Sequence, residues 1–181
     1  MRKSMVELEA DLQVAFPDNE EGLITPSHIR NYFLSLINAI RPCYGSLRQI
    51  ADRVVTAGLT PVKMLWESKY DSTDQTTSNF STGEVARTER GTSTINFNTD
   101  FESQAGRFVT FTLYKNGTLT DWRVTGNGAG AGNPVAVALT AIDYADPAAT
   151  YSIYITAETA GTSVTLRSAA LLVGVDPVNS F

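Results

Sequence analysis

From about residue 60 onward, apolar residues recur at every second position in runs separated by turn residues. That periodicity limits the fold more than any other feature of the chain. Val62 to Tyr70 reads as a first strand, and Pro61 confines its start to an edge. Thr92 to Asn98 alternates, with Ile95 and Phe97 on one face. In Arg107 to Tyr114, the residues Val109, Phe111 and Leu113 oppose Phe108, Thr110, Thr112 and Tyr114. Asn116-Gly117 predicts a type I′ hairpin turn, because both residues accept positive φ, and Leu119 to Val124 returns from it. Further strands are expected over Pro134 to Ile142, Thr150 to Thr156 (Tyr151, Ile153 and Ile155 on one face), Val164 to Arg167 and Ala169 to Val175. Asp71 to Ser81 and the glycine-rich stretch Gly126 to Gly132 read as loops. About eight or nine strands with no helical pattern between them predict a mainly β fold, an antiparallel β-sandwich or jelly roll.

Ahead of residue 60 the pattern is helical. Met5, Leu8, Leu12 and Ala15 stand at a and d spacing until Pro17 interrupts. About two heptads are too short to hold a helix alone in water, so this seam needs copies of itself or another surface, its own domain included. A second helix is expected after Thr25-Pro26, a good cap and first position, with an apolar stripe of Ile29, Phe33, Leu36, Ile37 and Ile40. Pro42 stops it and Tyr44-Gly45 is expected to turn. Residues 45–61 read as an irregular connection holding at most a short strand around Arg53 to Val55. The expected division is a helical segment over 1–50 and a sandwich over 51–181.

Composition narrows the function classes. The net charge is −5 and the 14 basic residues are scattered, whereas a phosphate-binding surface clusters them; nucleic acid is not an expected partner. The single cysteine, Cys43, can form no internal disulfide and reads as a small residue near a helix end. Met1-Arg2-Lys3 imitates the charged start of a signal peptide, but Glu7, Glu9 and Asp11 interrupt what would be its apolar core. Pro134 to Ile142 is too short to span a bilayer, so a soluble chain made in the cytoplasm, without a membrane partner, is expected.

Chemistry-bearing constellations are sparse. The only imidazole, His28, lies far in sequence from every strand-borne serine, against the needs of a hydrolase triad. One Cys and one His cannot make a structural zinc site, and Asp71-Ser72-Thr73-Asp74 lacks the later Glu of a calcium loop. Gly126 to Gly132 precedes a strand and lacks the Lys-Ser/Thr of a phosphate-binding loop. Asp143 with Asp146, or Glu84 with Glu89, are conceivable carboxylate pairs that spacing alone does not select. Trp66, Trp122, Tyr114, Tyr151 and Tyr154 suit either a sugar-stacking platform or packing. No catalytic residue, metal or cofactor is therefore expected.

The phrase Gly22-Leu23-Ile24-Thr25-Pro26-Ser27-His28-Ile29-Arg30-Asn31-Tyr32-Phe33, preceded by Phe16-Pro17-Asp18-Asn19 and continuing to Pro42-Cys43-Tyr44-Gly45, resembles the amino-terminal region of small virion proteins of tailed bacteriophages. Gly106-Arg107-Phe108-Val109-Thr110-Phe111, Asn116-Gly117, Ser163-Val164-Thr165-Leu166 and Ala170-Leu171-Leu172-Val173 resemble the jelly roll of tumour-necrosis-factor type found in head fibres, capsid decoration proteins and tail-fibre tips. Phe108 stands where that group usually has Tyr. The resemblance implies a homotrimer on the particle surface, partnered with the major capsid protein or a tail protein, acting by assembly and not by catalysis. Met5, Leu8, Leu12, Ile29, Phe33, Leu36 and Ile37 are the expected virion anchor, and Phe97, Phe111, Tyr151 and Ile153 the expected trimer seam. A tail or baseplate component, a carbohydrate-binding receptor module and a depolymerase are the competing expectations.

Overall fold

In a computed structural model, which describes residues 14, 28–33, 43–71, 76–88 and 90–177, the alternating segments form two antiparallel six-stranded sheets. The front sheet runs β10 (Val135–Ala145), β7 (Gly91–Ser103), β12 (Thr162–Pro177), β1 (Tyr44–Gln49) and β4 (Ser68–Asp71), with β2 (Arg53–Ala57) also paired to β12. The back sheet runs β5 (Thr76–Asn79), β6 (Glu84–Arg87), β11 (Thr150–Ala157), β8 (Phe108–Lys115) and β9 (Thr118–Asn127), with β3 (Val62–Lys63) on β11.

The inward residues of the two sheets meet in one core. Ile95, Phe97 and Phe101 of β7 and Leu166, Leu171 and Val173 of β12 face Val109, Phe111 and Leu113 of β8 and Tyr151, Ile153 and Ile155 of β11. The Phe111 ring lies 5.4 Å from both Phe97 and Phe101, edge-on to the latter. Each of these side chains contributes about 1.5–3 kcal/mol by leaving water. The Asn116-Gly117 turn has φ of 51° and 71°, as a type I′ hairpin requires, and joins paired Lys115 and Thr118.

Several expectations are corrected. Residues 45–61 are not irregular: β1 and β2 lie end to end along β12, and Tyr44-Gly45 opens β1 instead of turning. The sandwich therefore starts at Tyr44, and a division after residue 50 would cut it. Alternation missed β1 because its inward residues are Gly45, Leu47 and Gln49, only one of them a large apolar side chain. Gly45 is needed there: a Cβ would stand 2.7–2.9 Å from Asp71 of the neighbouring β4 and from Ser78 and Val85 of the opposite layer. Val62 to Tyr70 is two strands, since the chain leaves the back sheet after β3 and joins the front sheet as β4, burying Met64 and Trp66 on the way. Part of the Asp71 to Ser81 loop is β5, whose Ser78 donates to the Asp71 carboxylate at 2.5 Å. The last two expected strands are one, β12, with a bulge between Leu166 and Ser168. Cys43 is buried at the entrance to β1, its carbonyl accepting from Val175 N at 2.7 Å, and the expected helix end before it lies outside the described residues.

The β5–β6 turn offers a test of the packing. Gly83 has φ +71°, and a Cβ there would overlap the Met64 carbonyl. Left-handed backbone costs an alanine about 1–2 kcal/mol, and overpacking against a fixed carbonyl typically adds about 1–3 kcal/mol. Gly83→Ala is thus expected to lower stability by about 3 kcal/mol, read as a fall in the urea unfolding midpoint.

Candidate functional site

The register of the front sheet determines which residues point away from the core. Tyr144, Ile142, Thr140, Ala138 and Ala136 of β10 lie beside Thr92, Thr94, Asn96, Asn98 and Asp100 of β7. Gly174, Leu172, Ala170 and Ser168 of β12 follow, then Tyr44, Ser46 and Arg48 of β1, then Tyr70 and Ser68 of β4. Ile142 (66%), Tyr70 (56%) and Tyr144 (54%) are exposed although large and apolar. The rings of Tyr44 and Tyr70 lie 5.7 Å apart, and the Thr140 hydroxyl donates to Asn96 Oδ1 across the strands at 2.9 Å. A shallow depression of about 260 Å³ runs among Asn98, Asp100, Ala136, Ala138 and Ser168. Of the described side chains in this array, Arg48 and Asp100 alone carry charge.

The outer face of the back sheet differs. Arg123 and Asp121 stand exposed on β9, and Lys63 and Glu84 pair at 2.5 Å. Tyr114 and Tyr154 stack with centroids 3.9 Å apart, and Lys63 Nζ lies 5.8 Å from the Tyr154 ring. Lys, Asp and Glu are depleted and tyrosines enriched where protein surfaces are covered; in its few charges and its tyrosines, though not in its alanines and serines, the front face fits a contact better than the back face does. The outward stretches of the five strands, three to nine residues long and about 4.8 Å apart, give a front face of about 500 Å², the larger part of the about 800 Å² per partner of a stable interface.

One end of the front face is closed by a cluster of one cation and two carboxylates. The bulge in β12 turns Arg167 outward, where it donates to Glu102 Oε1 through Nε (3.0 Å) and Nη2 (2.9 Å) and also pairs with Asp52. Glu102, 8% exposed, accepts the Gly132 N–H through its other oxygen at 3.1 Å. That backbone bond, then Arg167, holds the Glu102 carboxyl below the usual carboxylate value against the opposing effect of burial. A folded-state value below the unfolded one stabilises the fold above about pH 4.5, and the gain disappears as pH falls through the folded value. Glu102→Gln is expected to lower the thermal midpoint at neutral pH, with the gap to the parent chain closing in acid.

The same bonds show what the glycine-rich stretch does. Gly128 N donates to Arg107 O, Gly130 N to Ser103 O and Gly132 N to Glu102, so its N–H groups close the loop onto the sandwich. The carboxylates weighed as catalytic pairs are also engaged. Asp143 accepts from Lys115 and from the Tyr151 hydroxyl at 2.7 Å each, Asp146 pairs with Arg90 and Glu84 with Lys63, while Glu89 lies outside the described residues. Burial, then the bond to Asp143, pushes the Tyr151 hydroxyl up to about 12. His28 is exposed in the helical residues 28–33. The described residues contain no group of three or more His, Cys, Asp or Glu that could hold a metal ion, and no helix among them is long and apolar enough to cross a membrane.

The expected trimer seam requires correction. Phe97, Phe111, Tyr151 and Ile153 are at most 1% exposed in a single chain and belong to its core, so they have no surface to offer a sister copy. Alternation identified the paired faces of each strand, and the apolar face went inward. The residues that reach the surface of the front sheet are small or semi-polar (Ala136, Ala138, Ala170, Thr94, Asn96), and their weak hydropathy hid them. Of the expected anchor, Ile29 (42%) and Phe33 (55%) are exposed on the helical residues, and Met5, Leu8, Leu12, Leu36 and Ile37 lie outside the described residues. Of the aromatic residues weighed for sugar stacking, Trp66 and Tyr151 are core and Trp122 packs against it, leaving Tyr114 and Tyr154.

No protein-family model matches this chain, and a comparison with curated proteins gives no match. Among solved structures, it is similar to Eiger TNF from S. frugiperda (TM-score 0.54, 14% identity, covering 76% of this chain and 96% of that one). It is also similar to murine APRIL (TM-score 0.53, 8% identity, covering 75% and 100%). The fold is therefore a jelly roll of tumour-necrosis-factor type, as the strand phrases implied. At such identities the likeness concerns the fold alone.

Proposed function

We propose that this chain is a structural protein of a tailed-bacteriophage particle, a homotrimer assembled through the outer face of the front sheet. Residues ahead of Cys43 seat it on the virion, and it serves as a capsid decoration or head-fibre protein. The observation that carries the assembly half of this reading is the nearly uncharged front face, with Ile142, Tyr144 and Tyr70 standing out of it. Three copies covering such faces remove apolar area from water at about 25 cal/mol per Å². The phage half rests on the Gly22 to Gly45 phrase and its likeness to virion proteins. Three anchors on one trimer multiply weak single contacts with the major capsid protein into lasting attachment. Gold-labelled antibody against the chain is expected to mark the whole head of particles; label confined to the tail would make it a tail or baseplate component instead.

A second reading, a carbohydrate-binding module, draws on the Tyr114–Tyr154 stack beside the Lys63–Glu84 pair on the back face. A sugar would lie against the aromatic surface and hydrogen-bond to the pair. A saturable glycan signal lost in Tyr154→Ala would favour it, and an empty glycan screen would remove it.

A further inference from the structure

On the front face two charges stand alone. Arg48, exposed on β1, makes no side-chain hydrogen bond or ion pair among the described residues. Asp100, half-buried on β7, accepts the Ser168 hydroxyl at 3.1 Å and has no cation. Neighbouring charges already have partners: Glu102 and Asp52 share Arg167, and Arg90 pairs with Asp146 and lies against the Tyr144 ring. Within one chain Arg48 and Asp100 do not pair. Arg48 pairs with Ala170, Ala170 pairs with Asn98, and Asp100 lies two residues further along β7, which sets their Cα atoms about 12 Å apart.

We propose that Arg48 of one copy forms an ion pair with Asp100 of the next across the contact between copies. This inference rests on the reading of the front face as that contact. Covering the face strips water from both groups, and a buried ion without a partner costs several kcal/mol. The face brings its own remedy, one cation and one anion displaced from each other. A rotation that stacks each Arg48 on the following Asp100 satisfies all copies at once and closes the ring. The bond is charge-assisted, and it selects one relative placement on a face whose small side chains would otherwise slide.

The test uses the full chain in sedimentation velocity over a concentration series. Arg48→Asp and Asp100→Arg are each expected to raise the concentration of half-dissociation at least about 100-fold, and the two combined in one chain to return it to within about tenfold of the parent. Arg48→Gln and Asp100→Asn, which leave an outward side chain of nearly unchanged size, are expected to give intermediate losses and guard against misfolding of the reversed variants. A parent that assembles while the single variants assemble equally well, or while the combined variant stays as dissociated as the singles, overturns the ion pair and leaves the contact standing. A parent monomeric throughout the series overturns both.

Discussion

A chain beginning at Cys43 is expected to unfold cooperatively as the full chain does, and one beginning at Ala51 is expected not to fold. The two differ by eight residues, yet those residues include β1, which lies inside the front sheet between β12 and β4. Six register pairs tie β1 to β12, from Tyr44 with Gly174 to Gln49 with Ala169, and four tie it to β4. Its Leu47 is fully buried, and its Gly45 leaves room for Asp71 of β4 and for Ser78 and Val85 from the other layer. Without β1, β4 loses its only sheet neighbour among the described residues, and half of β12 loses one side of its ladder. Leu47 alone contributes about 2–3 kcal/mol, and unpaired backbone groups along β12 and β4 add to the loss. The sum is comparable with the about 5–15 kcal/mol that stabilises a whole domain. Far-ultraviolet circular dichroism and urea titration of the two fragments read the result directly. A folded Ala51 fragment would mean that β1 is an accessory strand and that the helical segment ends where its periodicity suggested.

Leu172→Arg is expected to turn assembled protein into monomers without unfolding it. Leu172 sits near the middle of the front face, paired with Asn96 on one side and Ser46 on the other, between the inward residues Leu171 and Val173. Its side chain contributes nothing to the core cluster, so an arginine there stays in solvent while the chain is alone. Once a copy covers the face, that arginine is a buried charge without a partner, at about 3–5 kcal/mol per contact, or at least about 100-fold in dissociation. Thr125→Arg on the outer face of the back sheet is the matching control and is expected to change nothing. Phe111→Ala behaves in the opposite way. It removes a core ring at a cost of about 3–5 kcal/mol in unfolding free energy and acts on assembly only by unfolding the subunit. Sedimentation velocity beside thermal melts separates the two, and a trimer that survives Leu172→Arg would move the contact to another surface.

These experiments bear on a chain whose strands divide into two kinds. β7, β8 and β11 announce themselves, since Phe97, Phe111 and Ile153 each alternate with polar neighbours, and the second half of β12 does so as the apolar run Ala169 to Val173; Phe97, Phe111, Ile153 and Leu171 all became core. The Asn116-Gly117 turn is equally local, because positive φ at two successive positions is a property of the residues there. β1, β4 and β5 leave little trace. Their inward residues include Gly45, Gln49, Thr76 and Ser78, which are buried because neighbouring strands need a ladder partner and not because the side chains shun water.

Periodicity by itself determined the mainly β sandwich, the hairpin at Asn116-Gly117 and the identity of most core residues, since burial of alternate apolar side chains needs no knowledge of the partner strand. Which surface remains for another molecule was decided only by the tertiary structure. Phe97, Phe111, Tyr151 and Ile153 look like a seam until two sheets close over them, and the small and semi-polar residues of the front face become a surface only when register places them side by side. An interface is a property of neighbours from distant parts of the chain, and hydropathy along one strand contains no such information.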